Sequence, residues 1–223
     1  MSAYPQVRFL ASANLPRQFV PDVGVEVAVA GRSNAGKSSA INAIVQRRGL
    51  ARTSKTPGAT RLVNFFELRP GRRLVDLPGY GFAAVSGELR RHWADLVGSY
   101  FQSRQALRGA LVVMDVRHPL TSHDREMLNL ALALARAVPL HILLTKADKL
   151  GRSVARQTLS GVRREVGGSA SVQLFSALDG EGVAQARGVL ERMLDGVATG
   201  RGQKETPAGS LDPAGEVEPG VGG

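Results

Sequence analysis

Short apolar runs alternate along this chain with longer stretches in which apolar residues recur every three to four positions. The runs Val25–Ala30, Arg61–Leu68, Arg72–Asp76, Ala110–Asp115, Leu140–Thr145 and Ser171–Phe175 read as strands. Two of them, ALVVMD and LHILLT, are almost continuously apolar, the pattern of strands buried on both faces of a parallel sheet. The stretches Lys37–Val45, Glu88–Gln102, Ser122–Ala137, Val154–Val166 and Val183–Leu194 have helical periodicity. Strand–helix alternation predicts an α/β fold with a mostly parallel, doubly wound sheet flanked by helices. Such sheets bind ligands at the carboxyl ends of their strands, so the residues just after each strand carry the candidate chemistry.

The 223 residues suit one α/β domain with short appendages. Residues 198–223 are rich in Gly and Pro and nearly devoid of large apolar side chains, which predicts a disordered tail. Residues 23–197 are expected to form the domain, and residues 1–22 an arm or edge strand. The net charge is +10, from 24 arginines and 5 lysines against 19 acidic residues. From Gly196 onward two basic residues face four acidic ones, so the preceding 195 residues carry +12. That excess fits a polyanion such as nucleic acid, and fits equally an arginine-rich coding bias. The absence of cysteine excludes disulfides and zinc–thiolate sites. No apolar run is long enough to span a bilayer, and no signal peptide is read at the N-terminus. A cytoplasmic protein, monomeric and without membrane or zinc partners, is the expectation.

After the first predicted core strand comes GRSNAGKS: Gly31, Arg32, Ser33, Asn34, Ala35, Gly36, Lys37 and Ser38. It fits G-x-x-x-x-G-K-[ST] and opens a predicted helix, the setting of a phosphate loop. Glycines let the backbone wrap so that successive N–H groups meet phosphate oxygens, and the helix N-terminus favours the anion. Lys37 would reach the β- and γ-phosphates, and the Ser38 hydroxyl would ligate Mg²⁺.

The strand Arg72–Asp76 runs into DLPG, Asp76, Leu77, Pro78 and Gly79. The Asp76 carboxylate can hold Mg²⁺ and the Gly79 N–H can meet a γ-phosphate. The strand LHILLT ends in TKAD: Thr145, Lys146, Ala147 and Asp148. Asp148 can accept from both N1–H and the exocyclic amine of guanine. Adenine lacks both donors and would leave the carboxylate unpaired, at a cost of roughly 1–3 kcal/mol. Lys146 can cover one face of the base. Thr145 stands where many GTPases have Asn and offers fewer hydrogen bonds. Phe175, Ser176 and Ala177 follow the last core strand, where a backbone N–H can reach guanine O6.

Taken together, GRSNAGKSS, SKTPGATRLVNFF, LVDLPGYGFA, LLTKADKL and LFSAL resemble the EngB family of small bacterial GTPases, within the TrmE-Era-EngA-EngB-Septin-like superfamily. The resemblance spans about residues 7–195. It implies a Ras-like P-loop G domain that binds GTP and GDP with Mg²⁺, and roles in large ribosomal subunit assembly and normal septation. It also places Gly58, Ala59, Thr60, Arg61 and Leu62 in a nucleotide-sensing switch. Thr60 matches the threonine that ligates Mg²⁺ beside GTP, with Thr56 as a rival.

Many GTPases place a water-orienting Gln directly after D-x-x-G, and here that position is Tyr80. Slow intrinsic hydrolysis is therefore expected, with Lys37 and Asn34 as the candidate catalytic residues. A carboxamide at Asn34 can help hold K⁺ beside the phosphates, or can merely cap the turn. Basic residues group as Arg47, Arg48 and Arg52, as Arg90, Arg91, His92, Arg104 and Arg108, and as Arg163 and Arg164. They form an rRNA surface or ordinary solvated helix faces. Trp93 and Phe101 have core spacing. Two alternatives stay open: a P-loop kinase or transferase, and a GTP-binding scaffold with negligible hydrolysis.

Overall fold

Strands β1 (Arg8–Ala13), β2 (Val25–Gly31), β3 (Val63–Arg69), β4 (Arg72–Asp76), β5 (Leu107–Asp115), β6 (Leu140–Thr145) and β7 (Ser171–Leu174) form one sheet. Their order is β1-β3-β4-β2-β5-β6-β7. The computed structural model describes residues 4–51, 62–81, 87–133 and 138–196. The five strands from β4 to β7 run parallel, while β3 pairs antiparallel with both β1 and β4. Arg69 faces Arg72 across the β3–β4 pair, so Pro70 and Gly71 make a two-residue hairpin turn, with Gly71 at φ 70°.

Helices α1 (Lys37–Val45) and α5 (Val183–Leu194) cover one face, and α2 (Gly87–Ser103), α3 (Ser122–Leu132) and α4 (Arg152–Val166) cover the other. Alternation along the strands sorts the core. Ala28, Ala30, Ala110, Val112 and Met114 meet α2, α3 and α4; Val27, Val29, Leu111 and Val113 meet α1 and α5. Tyr4 and Val7 join the second group, and Arg8–Ala13 forms the sheet edge beside β3.

Some boundaries differ from the pattern. Strand β5 starts at Leu107 rather than Ala110, because pairing with Glu26 and Val27 carries the ladder through Arg108 and Gly109. Helix α4 starts at Arg152, capped by Gly151 in extended backbone. The expected strand from Arg61 begins at Val63. Helix α3 ends at Leu132, and residues 134–137 lie outside the described residues, as does the whole span 197–223.

At the amino end of β2 the alternation turns Glu26 into the α2 face, fully buried. Its carboxylate accepts from Arg73 Nη1 at 3.0 Å, from Arg104 Nε at 3.1 Å and Nη2, and from the Tyr100 hydroxyl at 3.0 Å. The Arg104 guanidinium lies 5.5 Å from the Phe65 ring centroid and donates to Val20 O. Arg104 is 5% exposed, so it does not belong to the basic surface on which the sequence places it. Arg108 is half-buried and donates to Gln105 O and Leu107 O. Arg90 and Arg91 remain exposed, Phe101 is core and Trp93 packs partly buried against that core.

Candidate functional site

Strand β2 ends at Gly31 and α1 begins at Lys37, so Arg32–Gly36 is the connecting loop. Asn34 at φ 63° and Gly36 at φ 92° are both left-handed, which turns the loop tightly into the helix. Gly31 must lack a side chain, since a Cβ there would sit 2.9 Å from Val113. Lys37 is 8% exposed in the first turn of α1, and Ser38 beside it is half-buried. The register that pairs Val29 with Asp76 brings the end of β4 alongside this loop. Asp76 is buried there and forms an ion pair with the Lys37 ammonium. Ser38 and Asp76 carry hard oxygen donors, the donor type Mg²⁺ takes. Among the described residues no group of three or more His, Cys, Asp or Glu side chains is placed to hold a metal.

The segment after Asp76 packs on the same loop. Leu77 N–H extends the β2 pairing by donating to Val29 O at 3.0 Å, and Ser33 N–H donates to Tyr80 O at 2.9 Å. A Cβ at Gly79 would meet Ser33 Oγ at 3.2 Å. Trp93 of α2 donates its indole N–H to Pro78 O at 3.0 Å, and its ring meets Tyr80 edge-on at 5.9 Å. The Tyr80 hydroxyl donates to Asp124 Oδ1 at 3.0 Å. Burial, then the Asp124 carboxylate, pushes the phenol well above its ordinary range. Asp124 in turn closes a capping box with Thr121 at the start of α3.

On the other side lies TKAD. The Thr145 hydroxyl sits within hydrogen-bond reach of Ala35 O, in the phosphate loop, and of Met114 O at 3.0 Å. Lys146, left-handed at φ 60°, sends its ammonium to Asn34 O at 2.6 Å. Ala147 is buried and its N–H donates to Phe175 O at 3.1 Å, which ties the two base-side turns together. Ser176 Oγ donates to Asp148 Oδ1 at 2.8 Å and accepts from the N–H groups of Leu178 and Asp179. That hydroxyl bond, with Lys149 adding, holds the Asp148 carboxyl below its usual range, so it is an acceptor at neutral pH. A cleft of about 700 Å³ opens here, walled by Gly36, Lys146, Asp148, Phe175 and Ala177, and extends along α1 to Arg47 and Arg48.

The structure thus gathers Arg32–Ser38, Asp76–Gly79, Thr145–Asp148 and Phe175–Ala177 around the ends of β2, β4, β6 and β7. Leu62 precedes β3 and is half-buried. Gly58, Ala59, Thr60 and Arg61, and the rival Thr56, lie outside the described residues, as does Arg52. Two features were missed by sequence reasoning. Ser176 orients Asp148, a role its S-A-L setting could have signalled. Asp115, at the end of β5, is 5% exposed and binds both Lys146 and Arg117. An Asp two residues before an Arg reads in sequence as an ordinary turn.

A family model described as "50S ribosome-binding GTPase" matches residues 26–146. A probable GTP-binding protein EngB of Stenotrophomonas maltophilia is 53% identical over 189 residues, covering 83% of this chain and 94% of that protein. Its counterpart in Xanthomonas oryzae is 51% identical, covering 83% and 90%. Among solved structures, a probable GTP-binding protein engB superposes with TM-score 0.62 at 19% identity, over 77% of this chain and 99% of the other. Era, solved with MgGDPNP and a fragment of 16S ribosomal RNA, gives TM-score 0.59 at 18% identity over 76% and 56%. At these identities the structures speak to the fold alone: the α/β fold of a Ras-like G domain.

Proposed function

The chain belongs to the EngB family of GTP-binding proteins, and on that premise we propose that it is a Mg²⁺-dependent GTP switch with slow hydrolysis. It serves large ribosomal subunit assembly and normal septation in the cytoplasm. The observation that carries this reading is that the Lys146 ammonium reaches Asn34 O of the phosphate loop while Asp148, oriented by Ser176, lines a cleft with Lys146 and Gly36.

In this reading the loop amides and Lys37 bind the phosphates, and Lys37 leaves Asp76 to do so. Asp76 and Ser38, with Thr60, would hold Mg²⁺, which when bound would supply positive charge to the phosphates. Asp148 accepts from guanine N1–H and the 2-amino group while retaining Ser176; a carboxylate has about four acceptor sites, enough for both. The Ala177 N–H, not spent on Ser176, meets O6. Lys146 covers the base with its stem because its head is fixed on Asn34 O. The Asn34 side chain is exposed on this loop, and its carboxamide is the proposed K⁺ ligand. Tyr80 cannot orient water: its hydroxyl is spent on Asp124. That observation also favours the second reading, a GTP-binding scaffold with negligible hydrolysis.

Arg90, Arg91, Arg163 and Arg164 are exposed and supply candidate phosphate contacts to rRNA. The test is co-sedimentation with large ribosomal subunits under GTP, GDP and a salt series, with single-turnover hydrolysis in K⁺ and Na⁺ at matched ionic strength. GTP-selective, salt-sensitive association is expected. Binding indifferent to both nucleotide and salt overturns the ribosomal reading, and undetectable turnover with and without particles selects the scaffold.

A further inference from the structure

We propose that Asp115 is a positioning residue for guanine-nucleotide retention, acting through Lys146. The inference rests on the reading above that the TKAD cleft binds a guanine base.

Lys146 is a flexible four-carbon stem with a strongly hydrated head. To lie over a base it must surrender that rotamer freedom. The structure shows what fixes it. The ammonium contacts two oxygens from different parts of the fold: Asn34 O at 2.6 Å and Asp115 Oδ2 at 2.9 Å. Asp115 and Thr145 stand side by side in the β5–β6 register, so the carboxylate arrives at the end of the neighbouring strand, one residue from the lysine's own position. The carboxylate is itself immobilised. Arg117 grips it through Nε to Oδ1 at 2.9 Å and Nη2 to Oδ2 at 2.7 Å, and the Arg117 N–H donates to Oδ1 at 3.1 Å.

Burial alone would push the Asp115 carboxyl up, but the hydrogen bonds from Arg117 and Lys146 outweigh it and hold it below the usual range. It is an anion throughout the neutral range. The lysine side chain is only 31% exposed, which keeps this pair better shielded than a surface ion pair. Arg117 reaches 43% exposure. Lys146 and Arg117 Nη2 share Oδ2, while Oδ1 is held by Arg117 Nε and by the backbone N–H that an alanine at 117 would keep.

A pre-fixed lysine lowers the ordering cost of binding for any guanine nucleotide, whatever its phosphate count. The expected signature is uniform: faster release of GDP and of a GTP analogue by the same factor, with guanine-over-adenine preference intact because Asp148 is untouched. The experiment measures dissociation of fluorescent GDP and of a non-hydrolysable GTP analogue from wild type, Asp115→Asn, Arg117→Ala, Lys146→Ala and the Asp115→Asn/Lys146→Ala pair. Asp115→Asn is expected to speed release of both about tenfold, equivalent to about 1.4 kcal/mol. Arg117→Ala is expected to stay within about twofold, and Asp115→Asn to add nothing once Lys146 is Ala. Thermal denaturation of each variant is read alongside. Equal effects of Asp115→Asn and Arg117→Ala, additivity with Lys146→Ala, or a fall in stability with unchanged release each overturn the proposal. Wild type that fails to bind GDP overturns the nucleotide reading itself, a result distinct from all of these.

Discussion

Replacing Glu26 by Gln tests the buried charge cluster at the amino end of β2. Two guanidinium groups, Arg73 and Arg104, share this one carboxylate, and all three residues are less than 9% exposed. The carboxylate accepts four hydrogen bonds, and Arg73 Nε already has no partner among the described residues. Gln keeps the volume and one acceptor oxygen but removes the buried charge that both cations share, leaving Arg104 with Asp22 at 3.7 Å. Breaking a buried pair by removing one partner costs about 3–5 kcal/mol, and the two-to-one stoichiometry puts this case near 4. With an m-value near ~2 kcal/mol/M, the urea midpoint falls by about 2 M. Arg104→Met is the control. It leaves Glu26 paired with Arg73 and Tyr100 and keeps an apolar body against Phe65, so it is expected to cost about half as much. Nucleotide affinity should hold in both variants, since Glu26 and Gly31 are five residues apart on one strand, about 16 Å. A loss under about 1 kcal/mol for Glu26→Gln, or a larger loss for Arg104→Met, refutes the reasoning.

Two further outcomes follow from other buried polar groups. His141 is held neutral, its imidazole pushed down to about 4 by burial, while its ring nitrogens meet Gln173 Oε1 and Ser171 Oγ. The unfolded state then binds the extra proton first, so stability is full above pH ~6.5 and is lost as pH falls through about 4, by roughly 3 kcal/mol. Chemical denaturation from pH 7 to 4 should show this slope in wild type and a shallower one in His141→Leu; parallel curves would sink it. Tyr80→Phe removes the hydroxyl bonded to Asp124 and should cost about 1–2 kcal/mol. It should also speed amide exchange in the first turn of α3 without raising GTP turnover. Faster hydrolysis in that variant would show that the phenol had been restraining catalysis.

The parts of the site that were legible in sequence are those whose chemistry is local. The phosphate loop needs two glycines, a lysine and a serine at fixed offsets before a helix, and TKAD needs its acid three residues past a strand end. The sheet's parallel core was legible because strands buried on both faces must be apolar throughout. Partnerships across the chain were not legible. Glu26 and Arg104 are 78 residues apart, and an arginine beside Arg108 reads as surface until the fold turns it onto Phe65. Asp115 escaped for the same reason: its meaning lies in the β5–β6 register, which sets it beside Thr145. Tyr80 was half legible. Its identity rules out orienting water, but only the packing of α3 shows where its hydroxyl goes.

The face covered by α1 and α5 sets an order on biosynthesis. Tyr4 and Val7 share that core with Leu190, Met193 and Leu194. Arg47 of the loop after α1 donates to Val7 O, and Arg187 of α5 donates to Ile44 O. An early segment and a late one thus close the same core. Until residue 194 has emerged, α1 alone of the two helices is in hand to cover Val27, Val29 and Phe66 on this face. Contacts of such long sequence separation form late and leave aggregation-prone surface exposed meanwhile. A chain stalled before α5 therefore exposes the part of this apolar face that α1 leaves uncovered, the kind of surface chaperones bind.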